Sequence, residues 1–514
     1  MNGADALIDT LVANGVTACF ANPGTSEMQF VAALDRQPAM RPVLCLFEGV
    51  ATGAADGYGR MSDAPACTLL HLGPGYGNGL ANLHNARRAH TPIINVVGDH
   101  ATYHRQYDAP LQSDIEAIVA PNSLWVRSAD AADDVSRLTA EAISASQGPP
   151  GGPVSLILPA DAAWNPASGP LAMSCPTAAR APSAGQVQSV VTALREAKNP
   201  VVFIGGRACR AEGLAAAARL AASGLRVITD TFVPRQPRGA GAFMPEKLAY
   251  FGEQALESLA GVDLMVLAGT QAPVAFFAYP GRPSLLVPDG CAVMTLAGRD
   301  EDSVAGLEGL ADLLGAPPRG PVARRAERPG VPTGALTPAA CGASIARHMP
   351  EGAIVCDDAV TSGAAIARAT AEAAPHEALA LTGGAIGAAG PMAVGAGVAR
   401  PDAKVVALSG DGAAMYTIQS LWTLARENID CTMVVFANNS YRILNIEMDR
   451  TGAGGAGPSA SRLLNLGEPT IDWVSLARGQ GVEAVRCETG EAFDLAFAAA
   501  MGRRGPMLIE AVIP

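Results

Sequence analysis

The sequence predicts an α/β protein made of three doubly wound parallel-sheet domains. Three observations predict it. Short continuous apolar runs that end in Gly or Asp alternate with longer helical patterns along the whole chain. The 514 residues exceed what one hydrophobic core accommodates. Two stretches rich in Pro with Ala, Gly, Ser or Arg, residues 165–185 and 315–338, interrupt the periodic pattern and read as exposed crossings. The expected domains are therefore 1–165, 183–315 and 338–514.

The elements follow in order. The N-terminus, MNGADALIDTLVANGV, carries acids where a signal peptide needs positive charge, so it reads as a first amphipathic helix. ACTLLHL, IINVVGD and VSLILPA are the expected strands of the first segment. PVVFIGG, LRVITD, DLMVLAG and SLLVPDG are those of the second, and AIVCDD, KVVALSGDG, CTMVVFANN and PMLIEAVI those of the third.

Composition narrows the function. Hydrophobic residues make up 49% and charged residues 16%, and no apolar run is long enough to cross a bilayer. A net charge of −12 argues against binding nucleic acid or an anionic membrane. The ten cysteines show no metal-ligand spacing and no C-x-x-C pair, which points to reduced thiols in a cytoplasmic protein.

The third segment carries the chemistry. In KVVALSGDGAAMYTIQSLWTLARENIDCTMVVFANNSY one strand ends at Gly410-Asp411-Gly412, a helix follows, and the next strand runs into Asn438 and Asn439. A right-handed crossover between neighbouring parallel strands brings Asp411 and Asn438 together at the carboxyl edge of the sheet, where α/β sheets bind ligands. A turn is the plainer reading of the two asparagines alone. Taken with the residues upstream, Asp411, the Asn438 side chain and the Ser440 carbonyl offer hard oxygens to magnesium. Gly410 and Gly412 let the backbone approach a diphosphate, and the helix start at Ala413 adds N–H donors.

G-D-G followed after a helix and a strand by N-N resembles the signature of thiamine diphosphate (ThDP) enzymes, with 438 − 411 = 27 residues between the two metal positions. The resemblance implies Asp411, Asn438 and Ser440 as Mg2+ ligands, with Asn439 as the alternative to Asn438. It places Gly412, Ala413 and Tyr441 against the cofactor. It makes Glu48, in LCLFEGVATGAADGYGRMS, the catalytic glutamate that hydrogen-bonds the pyrimidine. Ile386, in LTGGAIGAAGP, becomes the apolar wedge under the cofactor, with Gly384 at the aminopyrimidine. Thr361 and Ser362 either bond the phosphates or cap a helix.

The resemblance covers nearly the whole chain and is closest to the branch of acetohydroxyacid synthase large subunits and benzoylformate decarboxylase, in particular to short acetolactate synthase-like proteins. FANPGTSEM, LLHLGPGYGN and GDHATYHRQYDAPLQSDI carry it in the first segment. It implies decarboxylation of a 2-oxoacid, with carboligation to an acceptor or release of an aldehyde as the alternative outcome. His71 is implied as an acid–base, and Thr25 and Gln112 as substrate contacts. His100 and His104, four apart, read as a polar loop.

Departures bear on the outcome. Gln271 stands in place of a synthase arginine, Glu447 in place of a tryptophan, Pro110-Leu111 in place of Phe-Gln, and Ala278 in place of a decarboxylase histidine. FAD is accordingly expected to be absent or substoichiometric. A catalytically silent paralogue is the rival from another class. The resemblance also implies a homodimer or dimer of dimers, a homotetramer, with active sites at the subunit interface.

Overall fold

A computed structural model describes residues 1–172 and 178–514, so residues 173–177 of the first expected crossing lie outside the described residues. The first sheet holds β1 (Ala18–Asn22), β2 (Arg41–Leu44), β3 (Ala66–Leu70), β4 (Ile93–Asp99), β5 (Val126–Ser128) and β6 (Pro153–Pro159), in the order β2-β1-β3-β4-β6-β5. The second holds β7 (Pro200–Ile204), β8 (Arg226–Thr229), β10 (Glu246–Lys247), β11 (Leu264–Ala268) and β12 (Ala292–Ala297), in the order β10-β8-β7-β11-β12. The third holds β13 (Ala353–Asp358), β14 (His376–Ala380), β15 (Val405–Gly410), β16 (Cys431–Ala437), β17 (Glu483–Cys487) and β18 (Met507–Val512). Its order is β17-β18-β16-β15-β13-β14-β9, where β9 (Gln236–Arg238) is a strand lent by the middle of the chain. All pairings are parallel except β14 with β9.

Ten of the eleven expected strands are found within a residue or two of their ends. SLLVPDG is not a strand. Pro288 lacks an N–H, Leu285 is exposed, and the ladder position beside β11 goes to Ala292–Ala297. The helix expected after Gly410 is in pieces: a turn at Asp411–Ala414, a 3-10 turn at Met415–Thr417 and a helix at Ser420–Arg426. Of the apolar residues spaced three and four apart along it, Ile418 and Leu421 are buried, Met415 is exposed, and Trp422 and Ala425 are half-buried.

The largest apolar cluster joins the first and third sheets. Helix Glu48–Ser62 packs on helix Ala389–Ala399 at glycines and alanines on both sides. A Cβ on Gly53 would lie 2.5 Å from Pro391 Cβ, one on Gly57 2.1 Å from the Met392 carbonyl oxygen, and one on Gly395 1.8 Å from that of Ala54. The helix axes approach so closely that only glycine fits there.

β9 meets β14 at His376↔Arg238, and His376 is buried with Nδ1 against the Ala374 carbonyl. Burial, reinforced by Arg238, pushes its pKa down to about 4. The unfolded imidazole titrates near ~6.5 and binds the proton the folded one refuses, so this stability is present above ~6.5 and is lost as pH falls toward 4. Chemical denaturation from pH 7 to 4 should show a loss of up to about 3 kcal/mol from this group, absent in His376→Gln. Equal pH slopes in the two proteins would refute it.

Candidate functional site

At the carboxyl edge of the third sheet, β15 and β16 lie side by side with Gly410 opposite Phe436. Asp411 and Asn438 therefore leave neighbouring strand ends. Asp411 is buried; its Oδ1 accepts from Gly412 N at 2.8 Å and its Oδ2 from Asn439 N at 2.7 Å. Asn438 Oδ1 accepts from Ser440 N at 3.0 Å, and Asn439 takes a left-handed φ of 53°. The turn reading and the ligand reading of the two asparagines thus hold together: one makes the bend, the other offers an oxygen at its mouth.

Burial raises the Asp411 carboxyl above the usual range despite its backbone donors. A bound divalent cation would reverse that penalty. Each oxygen of the pair accepts one N–H and keeps a lone pair, and space is open where a Cβ on Gly410 would sit. Gly412 instead is covered by the Tyr441 ring, 2.4 Å from where its Cβ would be. The donor set suits a hard cation that holds a diphosphate.

The expected wedge loop is held from three sides. Asp358, buried at the end of β13, accepts through Oδ2 from the N–H groups of Gly387, Ala388 and Ala389 at 3.0, 2.7 and 3.2 Å. Thr417 Oγ1 donates to Gly387 O at 2.8 Å, and Asn85 donates through Nδ2 to Ala385 O at 2.8 Å and accepts through Oδ1 from Ala385 N at 3.2 Å. Ile386 is half-buried against the main apolar cluster, and the Phe276 ring lies over Gly384, whose φ is +77°. Ser362 is buried and Thr361 exposed; neither gives a side-chain bond to helix Gly363–Ala369, so the capping alternative is not realised.

Glu48 follows the apolar run LCLF but is the first residue of its helix rather than a strand end, because β2 stops at Leu44. Its carboxylate is buried, accepts from Asn78 Nδ2 at 3.0 Å and faces Gly75, where a Cβ would come within 3.2 Å. One carboxamide, Asn82, donates to Gly49 O at 2.8 Å and to Gly387 O at 3.4 Å. The turn that starts at Glu48 and the turn that carries Ile386 are thereby tied within a single chain.

His71 follows β3 and is oriented by a residue that sequence reasoning missed. Glu27, itself buried, places Oε2 2.9 Å from His71 Nδ1 and accepts from Gly24 N at 2.7 Å. Glycines make the room: a Cβ on Gly98 would strike Glu27 Oε1, and one on Gly24 the His71 ring. Leu72, next to the histidine, is strained at φ +50°. The ends of β1, β3, β4 and β6, adjacent in the sheet, open on a cavity of about 260 Å³. Thr25, Ser26, His71, His100, Tyr103 and Trp164 contribute to its walls. Gln112 is not among them; Leu111 is, while Gln112 Nε2 donates to Ser113 O and its Oε1 is buried without a partner.

Glu447 accepts a 2.7 Å hydrogen bond from Tyr279, so it sits between the middle and last segments, and Gln271 and Ala278 are exposed. Among the described residues no three His, Cys, Asp or Glu side chains gather as a metal cluster, and the His100 and His104 ring centroids lie 5.3 Å apart.

Residues 1–119 match the thiamine pyrophosphate enzyme N-terminal TPP binding domain, and residues 358–511 match the C-terminal TPP binding domain. The chain belongs to the thiamine pyrophosphate enzyme family. It is 52% identical, over all of its length and 99% of the relative's, to a provisionally named acetolactate synthase large subunit, IlvX, of Mycobacterium tuberculosis. Benzoylformate decarboxylase of Pseudomonas aeruginosa is 29% identical over 97% of this chain and 96% of that protein. A thiamine diphosphate-dependent 4-hydroxybenzoylformate decarboxylase of Rhodococcus jostii RHA1 superposes with a TM-score of 0.86 at 27% identity, covering 100% of this chain and 99% of that one. The protein is thus a ThDP-dependent enzyme of the acetolactate synthase and benzoylformate decarboxylase type. Among the described residues no helix is long and apolar enough to cross a membrane.

Proposed function

We propose that this ThDP enzyme uses Mg2+ to decarboxylate a 2-oxoacid and joins the remaining fragment to an acceptor carbonyl. The observation that carries the reading is the pairing of Asp411 and Asn438 at neighbouring strand ends beside the open Gly410. Asp411, Asn438 and the Ser440 carbonyl would hold the metal. Gly412, Ala413, Tyr441, Thr361 and Ser362 would surround the diphosphate, and Gly384 and Ile386 the rings. When bound, ThDP would supply a carbon nucleophile for the 2-oxo carbonyl and a sink for the electron pair left as CO2 departs. Glu48 would exchange a proton with a ring nitrogen of the pyrimidine, Thr25 would orient the carboxylate, and His71, steadied by Glu27, would move a proton at the substrate oxygen, whereas Gln112 stands outside the cavity wall.

Decarboxylation to an aldehyde is the second reading, favoured by the fixed His71 in the wall of an open cavity. NMR analysis of products from pyruvate, 2-oxobutyrate and benzoylformate separates the two. Carboligation products support the first, a simple aldehyde the second, and no turnover of any acid leaves a silent paralogue. FAD is proposed to be absent, and a tight stoichiometric flavin would overturn that part.

The domain roles would be pyrimidine binding for 1–165 and diphosphate binding for 338–514, with 183–315 between them. Apolar residues flank both half-sites on the surface, Val360, Met415, Tyr416 and Leu444 at one and Tyr103, Tyr107 and Trp164 at the other. That supports a homodimer or dimer of dimers that covers them. Nine free cysteines among the described residues support a reducing, cytoplasmic setting.

Asp411→Ala should lower ThDP and Mg2+ uptake together by about 10²-fold, since it removes a charged ligand. Fluorescence titration of purified protein measures it. Unchanged affinity for both would remove the metal assignment.

A further inference from the structure

We propose that Asn85 is a positioning residue for this enzyme's chemistry: its carboxamide aims the Gly384 carbonyl and the Ile386 N–H, and so sets the turn on which the cofactor rings rest. The inference rests on the assignment of Gly384 and Ile386 to those rings made above. Asn85 lies on the helix Leu72–Ala89, 300 residues before Ala385 in sequence, and is 1% exposed.

One side chain fixes two consecutive peptide planes. Asn85 Oδ1 accepts from Ala385 N at 3.2 Å, and Nδ2 donates to Ala385 O at 2.8 Å. In a trans peptide the N–H and the C=O point in opposite directions. The first bond therefore turns the Gly384 carbonyl away from Asn85, and the second turns the Ile386 N–H away. Among the described residues neither of these outward groups has a hydrogen-bond partner, and both residues are partly open to solvent.

The other bonds of Asn85 close the same clasp. Nδ2 also donates to Asn82 Oδ1 at 3.1 Å, and Asn82 in turn donates to Gly387 O. The Asn85 carbonyl accepts from Thr382 Oγ1 at 2.7 Å, and His84 Nε2 lies 3.2 Å from Gly383 O. A Cβ on Gly383 would fall 2.6 Å from Asn85 Oδ1, so the approach admits only glycine there. The position asks for two donors and one acceptor in a space closed to water, which a carboxamide supplies and a carboxylate does not. Asp358 and Thr417 hold the far end of the turn, at Gly387 to Ala389, independently of Asn85. Loss of Asn85 thus frees the near end alone, and the direction of the Gly384 carbonyl goes with it.

The test compares Asn85→Ala and Asn85→Asp with the parent as full-length proteins, before and after loading with ThDP and Mg2+. Before loading, amide hydrogen exchange over residues 382–390 should quicken by about tenfold in the variants, while β15 and β16 stay protected. ThDP affinity should fall by about tenfold, with the affinity for Mg2+ and inorganic pyrophosphate unchanged, because Asp411 and Asn438 are untouched. Deuterium exchange at C2 of bound ThDP and kcat for CO2 release should both fall by about 10²-fold, with the oxoacid KM nearly unchanged. Parent-like C2 exchange and ThDP affinity in a folded variant overturn the assignment of Asn85. Loss of pyrophosphate binding along with ThDP makes Asn85 a general support of the fold and overturns it too. Should both variants unfold, the parent decides: its Ala385 amide should exchange more slowly than that of Ile386, and the reverse order overturns the proposal. A parent that binds pyrophosphate with Mg2+ but takes up no ThDP removes the reading beneath it as well.

Discussion

Glu48→Gln should leave a folded, ThDP-binding protein whose CO2 release is lower by about two to four orders of magnitude. The effect is large because the amide keeps the shape but cannot exchange a proton with a pyrimidine nitrogen. The fold should be spared, because a glutamine oxygen can still accept from Asn78 Nδ2. Glu48 sits in a pocket that glycines keep narrow, with Gly75 pressed against it and Gly49 beside Phe47. Steady-state CO2 release from the oxoacid panel, measured beside ThDP titration, decides the matter. Equal turnover in the two proteins would remove Glu48 from the chemistry.

The second large effect is on stability. Arg60→Ala should cost about 3–5 kcal/mol, because it strands the buried Asp56 carboxylate with which Arg60 pairs at 2.5 Å. Both side chains are almost wholly buried, at 2% and 1% exposure, so solvent cannot compensate. Thr91 Oγ1, 2.6 Å from Asp56, is the only other donor to that carboxylate among the described residues. Arg60 also donates to Ala380 O at 2.7 Å and Pro234 O at 3.2 Å, so one guanidinium fastens all three segments. A protein with ~5–15 kcal/mol to lose would be brought near unfolding. Urea denaturation measures it, and an Asp56→Leu/Arg60→Met pair should recover most of the loss. A single variant within about 0.5 kcal/mol of the parent would contradict the buried-charge account.

These two residues show how the site was legible. LCLFEGVATGAADGYGRMS suggested a catalytic glutamate beside a family motif, and the structure gives the rest of the motif a mechanical reason: Asp56 and Arg60 are one helical turn apart and form the latch. The meeting of Asp411 and Asn438 at one sheet edge was legible because a strand ending in G-D-G and one ending in N-N differ from ordinary apolar strand ends. What went unread was of three kinds. β2, β5, β9, β10, β12, β14 and β17 are short or partly exposed, and such strands give little apolar contrast, while β1 is buried but only five residues long. SLLVPDG has strand composition but a proline and an exposed face. The supports Glu27, Asp358, Asn82 and Asn85 act on groups distant in sequence, Asp358 reaching 29 residues to Gly387 and Asn85 300 to Ala385. Spacing cannot reveal such partners. Glu27 did lie within FANPGTSEM, where an acid before a helix could have been asked what it faced.

The strand Gln236–Arg238 has a practical consequence for anyone who would trim this molecule. Excising the middle third as a cassette would strip β14 of its neighbour and bare a row of unpaired amides and carbonyls. The remainder would then be inclined to stick to itself edge to edge, so swaps among relatives should carry that tripeptide along with the C-terminal portion.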